Sequence, residues 1–374
     1  MPQAQLALAQ PLVHHRTREF KSLLMQTRSR LQQIFRTQND VLILTSSGTG
    51  AMEAAVSNLF SEKDSVLVIV VGKFGERWAE LCRAHRVPHQ TLRKGPGKAA
   101  SVEEICRSLQ DFPEVRGILL QGCETSTATV HDLKTIGKRL HRDFPEVLIV
   151  VDAITALGSQ PLETDGWHLD VVISGSQKFL AIPPGLSLIS LSPKAIDRMA
   201  DSPSPRYYLD LSKELKAQRK EQTAYTPAVS LITALGQATQ EILQQGLKKI
   251  VEDTAWMAHC TRCGLEALGF RLLSAAPANA VTAAYPPPGI SARELLNELS
   301  EEQGILLAGG QGDLAGEIVR IAHLGYFDLL DMLSVLSALE LALLRLGSKP
   351  EPGVGVRAAL MECHQSQRLP VEVT

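Results

Sequence analysis

Two apolar runs near the middle of the chain, VLIVVD at residues 147–152 and DVVISGSQK at residues 170–178, decide the fold. Each run contains a strand-length apolar part, and neither shows the strict alternation of apolar and polar residues that a half-exposed strand has. We therefore expect two neighbouring buried strands of a parallel sheet. Asp152 ends the first run, and Lys178 lies just past the second. Because ligands of such sheets bind beyond the carboxyl ends of the strands, both side chains are candidates for one site.

The pairing of a lysine with an acid suits pyridoxal phosphate. This cofactor needs an amine that holds its aldehyde as a Schiff base and an anion that keeps its ring nitrogen protonated. Burial lowers the pKa of a lysine, which favours the neutral amine that attacks carbonyl carbons. Taken singly, Lys178 would more often be a surface turn residue and Asp152 a helix cap, so the interpretation depends on further features.

A stretch of small residues, TSSGTGAME at residues 45–53, follows the apolar run VLIL at residues 41–44. We expect a strand that leads through a glycine-rich turn into a helix ending near Phe60. Backbone N–H groups, hydroxyl groups and the positive end of a helix dipole together favour a phosphate at such a turn. The stretch lacks the spacing of a dinucleotide fingerprint or a P-loop, and alone it could be ordinary helix capping.

Six strings of sequence point to one family. They are SSGTGAMEA (46–54), GKFGERW (72–78), GCETSTAT (122–129), VVDAITALGSQPLETDGWHLDVVISGSQKFLAIPPGLSLIS (150–190), YTPAVSL (225–231) and VRIAHLGY (319–326). Through these strings, and over nearly its whole length, the chain resembles the class V aminotransferases of fold type I, closest to the alanine–glyoxylate and serine–pyruvate aminotransferase group. The resemblance implies an α/β fold, pyridoxal 5'-phosphate as cofactor, and a homodimer.

The resemblance also implies a role for each residue of the cofactor site. Lys178 would anchor the cofactor covalently and act as general base, and Asp152 would pair with the pyridinium nitrogen. The other contacts would come from Ser47, Gly48, Thr49 and Gln177 at the phosphate, from Phe74, Thr125 and Ile154 around the ring, and from Thr226 of the neighbouring subunit at the phosphate. The active site would thus be shared across the interface of the homodimer.

Arg320 is the candidate for binding the substrate carboxylate. It stands among apolar residues in the run IVRIA at residues 318–322, which predicts a strand carrying one charge. A guanidinium fork binds a carboxylate through two parallel charge-assisted hydrogen bonds. The resemblance gives Arg320 this role and places Arg16 near the substrate pocket. The alternatives are an arginine that extends from a strand edge to water and, for Arg16, a solvated basic turn.

The composition is that of a soluble enzyme. The 374 residues, 44% of them hydrophobic and 21% charged, can bury a large core and should divide into two domains. A net charge of −2 gives no basic footprint for nucleic acid, and the apolar runs are too short to span a membrane. The six cysteines are scattered, which is typical of a reducing compartment, and we expect the cytoplasm. Only CTRC at residues 260–263 has metal-like spacing, and without a second pair we predict no metal site.

The order of apolar runs predicts the domain organisation. Strand-length runs alternate with helical patterns near residues 41–44, 66–71, 87–92, 116–121, 147–151, 170–173 and 186–190, which predicts a mainly parallel sheet covered by helices. A long helix, strands near 280–285 and 304–307, and the Arg320 strand then predict a smaller C-terminal α+β domain. The predicted divisions are an N-terminal arm (1–11), a large cofactor-binding domain (12–246), a small domain (247–347), and a linker with a partly ordered tail (348–374).

These features predict a transaminase that works in two stages. Lys178 moves the α-proton of an amino acid, a 2-oxo acid leaves, and a second 2-oxo acid takes up the amino group. The resemblance suggests alanine or serine as donor and glyoxylate or pyruvate as acceptor. Three alternatives stay open: another class V enzyme of desulfurase or lyase type, a subunit of a redox complex, and a catalytically impaired homologue that acts as a binding subunit. Residues 308–320 hold no cysteine for a desulfurase, and no cysteine cluster in the sequence suits an iron–sulfur centre.

Overall fold

The structure, a computed structural model, describes residues 1–365 of the chain. Its strands are β1 (Asp40–Leu44), β2 (Ser65–Val70), β3 (His89–Arg93), β4 (Val115–Gln121), β5 (Cys123–Glu124), β6 (Thr129–Val130), β7 (Leu148–Asp152), β8 (Val171–Gly175), β9 (Ser187–Leu191), β10 (Arg271–Leu272), β11 (Val281–Tyr285), β12 (Ala308–Gly309) and β13 (Val319–Ala322). Its α-helices are α1 (Pro2–Leu8), α2 (Arg18–Phe35), α3 (Gly48–Leu59), α4 (Lys73–Ala84), α5 (Val102–Asp111), α6 (Leu133–Asp143), α7 (Pro193–Asp201), α8 (Leu211–Gln218), α9 (Val229–Gln245), α10 (Leu247–Ala267), α11 (Ala292–Gln303), α12 (Leu329–Arg345) and α13 (Val354–Gln365).

The large sheet has the strand order β1-β9-β8-β7-β4-β2-β3. All neighbouring pairs from β8 to β3 are parallel, whereas β9 runs antiparallel to both β8 and β1. The predicted mainly parallel sheet is therefore confirmed. In the register of the central strands, Asp152 lies opposite Gln121 on one side and Ile173 on the other. The carboxyl ends of β4, β7 and β8 thus meet at one edge of the sheet.

Helices cover both faces of this sheet. Helix α2 buries Phe20 on one face, and α4 buries Trp78 on the other. Successive strand residues point to opposite faces, so Val150 and Val151 belong to different cores. This two-sided burial explains the continuous apolar runs, and each large apolar side chain contributes about 1.5–3 kcal/mol when fully buried. Among the described residues, no helix is both long enough and apolar enough to cross a membrane.

The small domain is built on an antiparallel sheet with the order β10-β11-β13-β12. Helices α10, α11 and α12 share a core with this sheet, and Leu295 is fully buried there. The prediction of a strand at residues 304–307 is wrong. Gly304 ends α11 in the left-handed region, and pairing with β13 begins only at Ala308. Arg320 lies on β13, as predicted.

Helix α13 lies in the segment 348–374, where the sequence predicts a linker and a partly ordered tail. The carboxylate of Glu340 in α12 accepts hydrogen bonds from the N–H groups of Gly353 and Gly355 at the start of this helix. Local sequence cannot reveal such a distant cap, so the helix was not predicted. Residues 366–374 lie outside the described residues, and the division of the chain into domains stays a prediction.

Candidate active site

The turn between β1 and α3 has the features of the predicted phosphate cradle. Ser47 is the N-cap residue of α3, is exposed, and makes no side-chain hydrogen bond to the helix. Gly48 is buried, and a Cβ atom at this position would overlap Cδ1 of Ile154. Because the first N–H groups of a helix have no partner within the helix, they can donate to another group. The turn therefore offers N–H groups, the Ser47 hydroxyl and the positive end of a helix to an anion.

Asp152 is a buried acid at the end of β7, with 5% of its surface exposed. Its Oδ1 accepts a 2.9 Å hydrogen bond from the backbone N–H of Ile154. Burial raises the pKa of Asp152 to about 7, with Glu124 acting in the same direction and the Ile154 hydrogen bond and nearby cations opposing it. Because burial disfavours the isolated charge, the carboxylate is best stabilised by a cationic group of a ligand beside it.

Lys178 lies in the turn after β8, and β8 is the parallel neighbour of the strand that carries Asp152. Its side chain is partly buried. Burial lowers the pKa of Lys178 and the positive charge of Arg320 lowers it further, whereas Asp152 and Cys123 act in the opposite direction. A lowered pKa gives a larger fraction of the neutral, nucleophilic amine at pH 7. A Cβ atom at Gly325 would lie 3.8 Å from the backbone oxygen of Lys178, so the loop after β13 contacts the lysine turn.

Arg320 extends from the small sheet to the large domain. Its Nε donates a 2.8 Å hydrogen bond to the backbone oxygen of Gly309, and its Nη1 donates a 3.0 Å hydrogen bond to that of Thr125. Within residues 1–365, no hydrogen bond or ion pair occupies Nη2. Burial lowers the pKa of Arg320, while Glu124 opposes this shift. An exposed fraction of 9% does not fit an arginine that extends to water, so Nη2 remains for an anion that enters the site.

Glu124 positions the side of the site that holds Phe74 and Thr125. It is fully buried, and its carboxylate accepts hydrogen bonds from the N–H groups of Phe74 and Gly75. A carboxylate at this place caps the start of α4 and also interacts favourably with the helix dipole. The hydroxyl of the adjacent Thr125 lies 2.7 Å from the hydroxyl of Thr155. One carboxylate thus joins the start of α4 to the hairpin of β5 and β6.

Arg77 is a site residue that was not predicted from the sequence. Its Nη1 donates a 3.2 Å hydrogen bond to the hydroxyl of Thr49 in the cradle, and its guanidinium lies 4.9 Å from the centre of the Phe74 ring. Its charge also lowers the pKa of Asp152. The signal in the sequence was the spacing, because residues three apart share one face of a helix and Arg77 follows Phe74 by three in α4. Arg77 therefore links the cradle, the aromatic ring and the buried acid.

Three predicted residues are exposed and, in the part of the chain that the structure describes, make no direct contact of this kind to the central groups. Gln177 is exposed beside the lysine turn. Thr226 is also exposed, and its neighbour Ala228 donates a 3.2 Å hydrogen bond to the Thr45 hydroxyl. Arg16 is exposed between α1 and α2. Within residues 1–365 of a single chain, no hydrogen bond or ion pair joins these three side chains to Asp152, Lys178 or Arg320.

Asp152, Lys178 and Arg320 together form what we call the charge centre. The charges of Arg320 and Asp152 both shift the pKa of Lys178, and Lys178 in turn shifts the pKa of Asp152. Such a group can bind a cation at the acid, bind a carbonyl carbon or move a proton at the amine, and bind a carboxylate at the guanidinium. The adjacent cradle adds a place for phosphate.

One family model matches most of the chain. Residues 4–319 match the family described as Aminotransferase class-V. The chain is 37% identical over 358 residues to the soluble hydrogenase small subunit of Synechococcus sp. (strain PCC 6716), a match that covers 95% of this chain and 93% of that protein. It is 29% identical over 359 residues to the L-aspartate–glyoxylate aminotransferase of Paracoccus denitrificans (strain Pd 1222), which covers 94% and 91% of the two chains.

Solved structures show the same fold. The aspartate aminotransferase of subgroup IV from Thermus thermophilus is 34% identical and superimposes with a TM-score of 0.86, covering 92% of this chain and 97% of that chain. The pyridoxamine–pyruvate aminotransferase of Mesorhizobium loti superimposes with a TM-score of 0.93 at 24% identity, covering 98% and 95%, and it supports the fold alone. The predicted fold type I architecture is therefore confirmed.

Proposed function

The chain belongs to the class V aminotransferase family, and on this premise we propose that it moves the amino group of alanine or serine to glyoxylate or pyruvate with bound pyridoxal 5'-phosphate. The observation that carries the proposal is the pairing of Lys178 and Asp152 at the ends of two adjacent parallel strands. A cofactor with an aldehyde and a cationic ring nitrogen satisfies both residues at once. The relative from Paracoccus denitrificans, whose name includes glyoxylate, supports the choice of acceptor.

The chemistry of the site residues supports this cofactor. The cationic ring nitrogen would stabilise the carboxylate that burial alone disfavours, which is that of Asp152. The cradle would bind the phosphate through Ser47, Gly48 and Thr49, and a Cβ at Gly48 would fill part of that space. The other proposed contacts are Phe74, Thr125 and Ile154 around the ring, Gln177 and Arg77 on the phosphate side, and Thr226 of a second subunit.

The reaction then depends on what the side chains of the charge centre do. When bound, the cofactor supplies the aldehyde that reacts with amino groups and the ring that accepts electrons. Nζ of Lys178 would hold the cofactor and would take the proton from the α-carbon of the amino acid. Nη2 of Arg320 binds the substrate carboxylate and so fixes which bond of the α-carbon faces Lys178. The low exposure of Asp152 and Arg320 limits the access of water to this part of the site.

Charge counting favours a small side chain on the substrate. A dicarboxylic amino acid needs a second cation for its distal carboxylate. Arg320 already serves the α-carboxylate, and Arg77 donates to Thr49 and lies against Phe74. Arg16 is exposed in the single chain, so its proposed place near the substrate depends on a second subunit. We therefore place alanine and serine before aspartate as donors.

We further propose a cytoplasmic homodimer that shares its active sites. Thr226 is exposed, and so are the nearby aromatic rings of Tyr207 and Tyr208, with 73% and 52% of their surface accessible. An aromatic surface of this kind is typical of an interface. If Thr226 serves the partner's site, mixing Lys178→Ala and Thr226→Ala chains should restore activity, since one hybrid site receives both native residues. If the mixed sample is no more active than the two variants measured separately, Thr226 lies outside the shared site.

The transfer reaction tests the proposed function directly. Protein loaded with pyridoxal phosphate is given glyoxylate together with L-alanine, L-serine or L-aspartate, and the glycine formed is measured by chromatography. We expect alanine or serine to be the better donor. Lys178→Ala should lower the rate by about 10²- to 10⁴-fold, the range for a proton-transfer group, whereas Lys98→Ala, at an exposed lysine, should not change it. Absence of glycine with every donor would favour a binding subunit instead.

A further inference from the structure

Helices α10 and α13 bring together three side chains that the proposed aminotransferase reaction does not use. His259 and Cys263 are one turn apart in α10, and Glu362 lies in α13. The Nε2 atom of His259 is 3.0 Å from Oε2 of Glu362 and 3.8 Å from Sγ of Cys263. All three ligand atoms lie within 4.8 Å of one another. Among residues 1–365 this is the one such group of three metal-binding side chains, and we call it the helix-pair cluster.

The helix-pair cluster differs from the CTRC spacing of residues 260–263. Cys260, the first cysteine of that string, is fully buried, and its sulfur lies 3.7 Å from the sulfur of Cys363. Cys263 instead faces His259 and Glu362 at the surface. The relevant spacing is therefore His259 to Cys263, residues i and i+4 of a helix, which share one face. The third side chain comes from a distant helix, so the sequence alone could not complete the set.

The chemistry and distances of this cluster suit a zinc ion. Imidazole nitrogen, thiolate sulfur and carboxylate oxygen are the three atom types that zinc binds in proteins, at about 2.0–2.3 Å each. Tetrahedral bonds of that length place neighbouring ligand atoms about 3.3–3.7 Å apart. The distances of 3.0 Å from His259 to Glu362 and 3.8 Å from His259 to Cys263 lie close to this range, and the ligand atoms of Cys263 and Glu362 lie within 4.8 Å of each other. We infer that His259, Cys263 and Glu362 form a binding site for Zn²⁺, with water as the fourth ligand.

The simpler explanation is a surface hydrogen bond between a histidine and an acid. The chain contains a matched example of that arrangement, because Nε2 of His85 lies 3.3 Å from Oε1 of Glu53. Within the described residues, no third metal-binding side chain joins His85 and Glu53 at comparable distance. The two pairs therefore differ in the thiol, and a zinc titration can separate them.

The proposed ion would connect the C-terminal helix to the rest of the small domain. Two of its ligands belong to α10 and one to α13, so binding would favour the state in which α13 is docked. A ligand that binds only the folded state stabilises it in proportion to RT ln(1 + [L]/Kd). Zinc should accordingly raise the thermal midpoint and slow amide hydrogen exchange in α13.

The test is a calorimetric titration of the tag-free, cofactor-loaded full chain with Zn²⁺, followed by thermal unfolding with and without the ion. We expect one equivalent to bind with Kd below about 10 µM. Cys263→Ser and Glu362→Gln should each weaken binding by at least about 10-fold, since each removes or alters a ligand atom. Transfer activity should remain in both variants, which separates this site from the proposed reaction.

Two controls decide between the site and its alternatives. His85→Ala removes the histidine of the matched pair and should leave zinc affinity unchanged, whereas His259→Ala should abolish the one-equivalent binding. Cys260→Ala probes the neighbouring buried thiol and should have less than about a 2-fold effect. Stoichiometric binding that survives Cys263→Ser, binding that follows Cys260 instead, or binding too weak to saturate at one equivalent would each overturn the zinc site.

Discussion

The charge centre and the helix-pair cluster hold reactive side chains in opposite ways. In the charge centre Asp152 and Arg320 are buried and Lys178 is partly buried, and desolvation is the largest influence on the pKa of all three. The helix-pair cluster lies at the surface, where the His259 side chain is 54% exposed. A buried charge that lacks a compensating partner destabilises the fold until a ligand binds, so it marks a candidate functional site. Exposed side chains have only a small desolvation cost on folding, so their exposure indicates nothing about function. Only the close approach of several such side chains suggests a site.

The largest expected effect concerns the stability of the protein without cofactor. The carboxyl of Asp152 has a pKa of about 7 in the folded chain and ionises near its usual 3.8 when unfolded. Between these values the unfolded state binds fewer protons, so this residue lowers stability as pH rises, by at most about 1.4 kcal/mol per pH unit. Asp152→Asn lacks that slope. In urea unfolding between pH 5 and pH 8, the free energy of unfolding of the variant minus that of the wild type should rise with pH up to about pH 7. Above that pH the difference should stay constant. If the two stability profiles run parallel across this pH range, burial does not raise the pKa of Asp152 in the folded chain.

The second largest effect is expected when the guanidinium of Arg320 in the charge centre is replaced. Arg320→Lys keeps the charge but loses the planar fork, including the hydrogen bonds to Gly309 and Thr125. We expect kcat/KM for the amino donor to fall about 100-fold, mostly through KM, because the charge-assisted Nη2 contact to the substrate carboxylate is lost together with the two backbone hydrogen bonds that position it. Arg345→Lys, at an exposed ion pair of the small domain, is the matched control and should stay within about 2-fold. Equal losses in both variants would contradict a specific role for Arg320.

A smaller effect is expected at the phosphate cradle. In Gly48→Ala the new methyl group would overlap Cδ1 of Ile154, so that side chain must leave its rotamer at about 0.5–1.5 kcal/mol. Since Ile154 is proposed to pack under the ring, cofactor affinity should fall by about 10-fold, which a fluorescence titration can measure. Gly95→Ala is the control, because a Cβ there has no atom within 4 Å. Unchanged affinity in Gly48→Ala would place the cofactor elsewhere.

The smallest effect belongs to the helix-pair side of the comparison. Glu340→Gln weakens the cap of α13, and we expect a loss of about 1 kcal/mol in the free energy of unfolding with no change in transfer activity. Glu351→Gln, which breaks only an exposed ion pair with Arg357, should cost less than about 0.5 kcal/mol. A drop in transfer activity with Glu340→Gln would show that the two regions are coupled.

The sequence predicts the large sheet well because its signal is local. Runs such as VLIVVD at residues 147–152 form strands within a few residues of their predicted ends, and Asp152 and Lys178 come together because their strands are neighbours. Neither Glu124 at the start of α4 nor Arg77 at the cradle was predicted. Their partners are fixed by how α4 meets the hairpin of β5 and β6 and the start of α3, which no short pattern encodes.

The same limit applies to the small domain. Arg320 could be assigned from its apolar neighbours, but its bond to the oxygen of Thr125 joins residues far apart in the sequence. The proposed zinc ligands also come from two helices separated by the rest of that domain. Local patterns therefore located the residues that lie on strands, while contacts between elements required the folded structure.

The hydrogen bond donated by Nη1 of Arg320 restricts how the two sheets can move relative to each other. It ties β13 of the small sheet to the segment after β4 of the large sheet, through the carbonyl oxygen of Thr125. The small sheet cannot swing away from the large one unless this tether breaks. The side chain proposed to bind the substrate carboxylate thus also holds the small sheet against the large one.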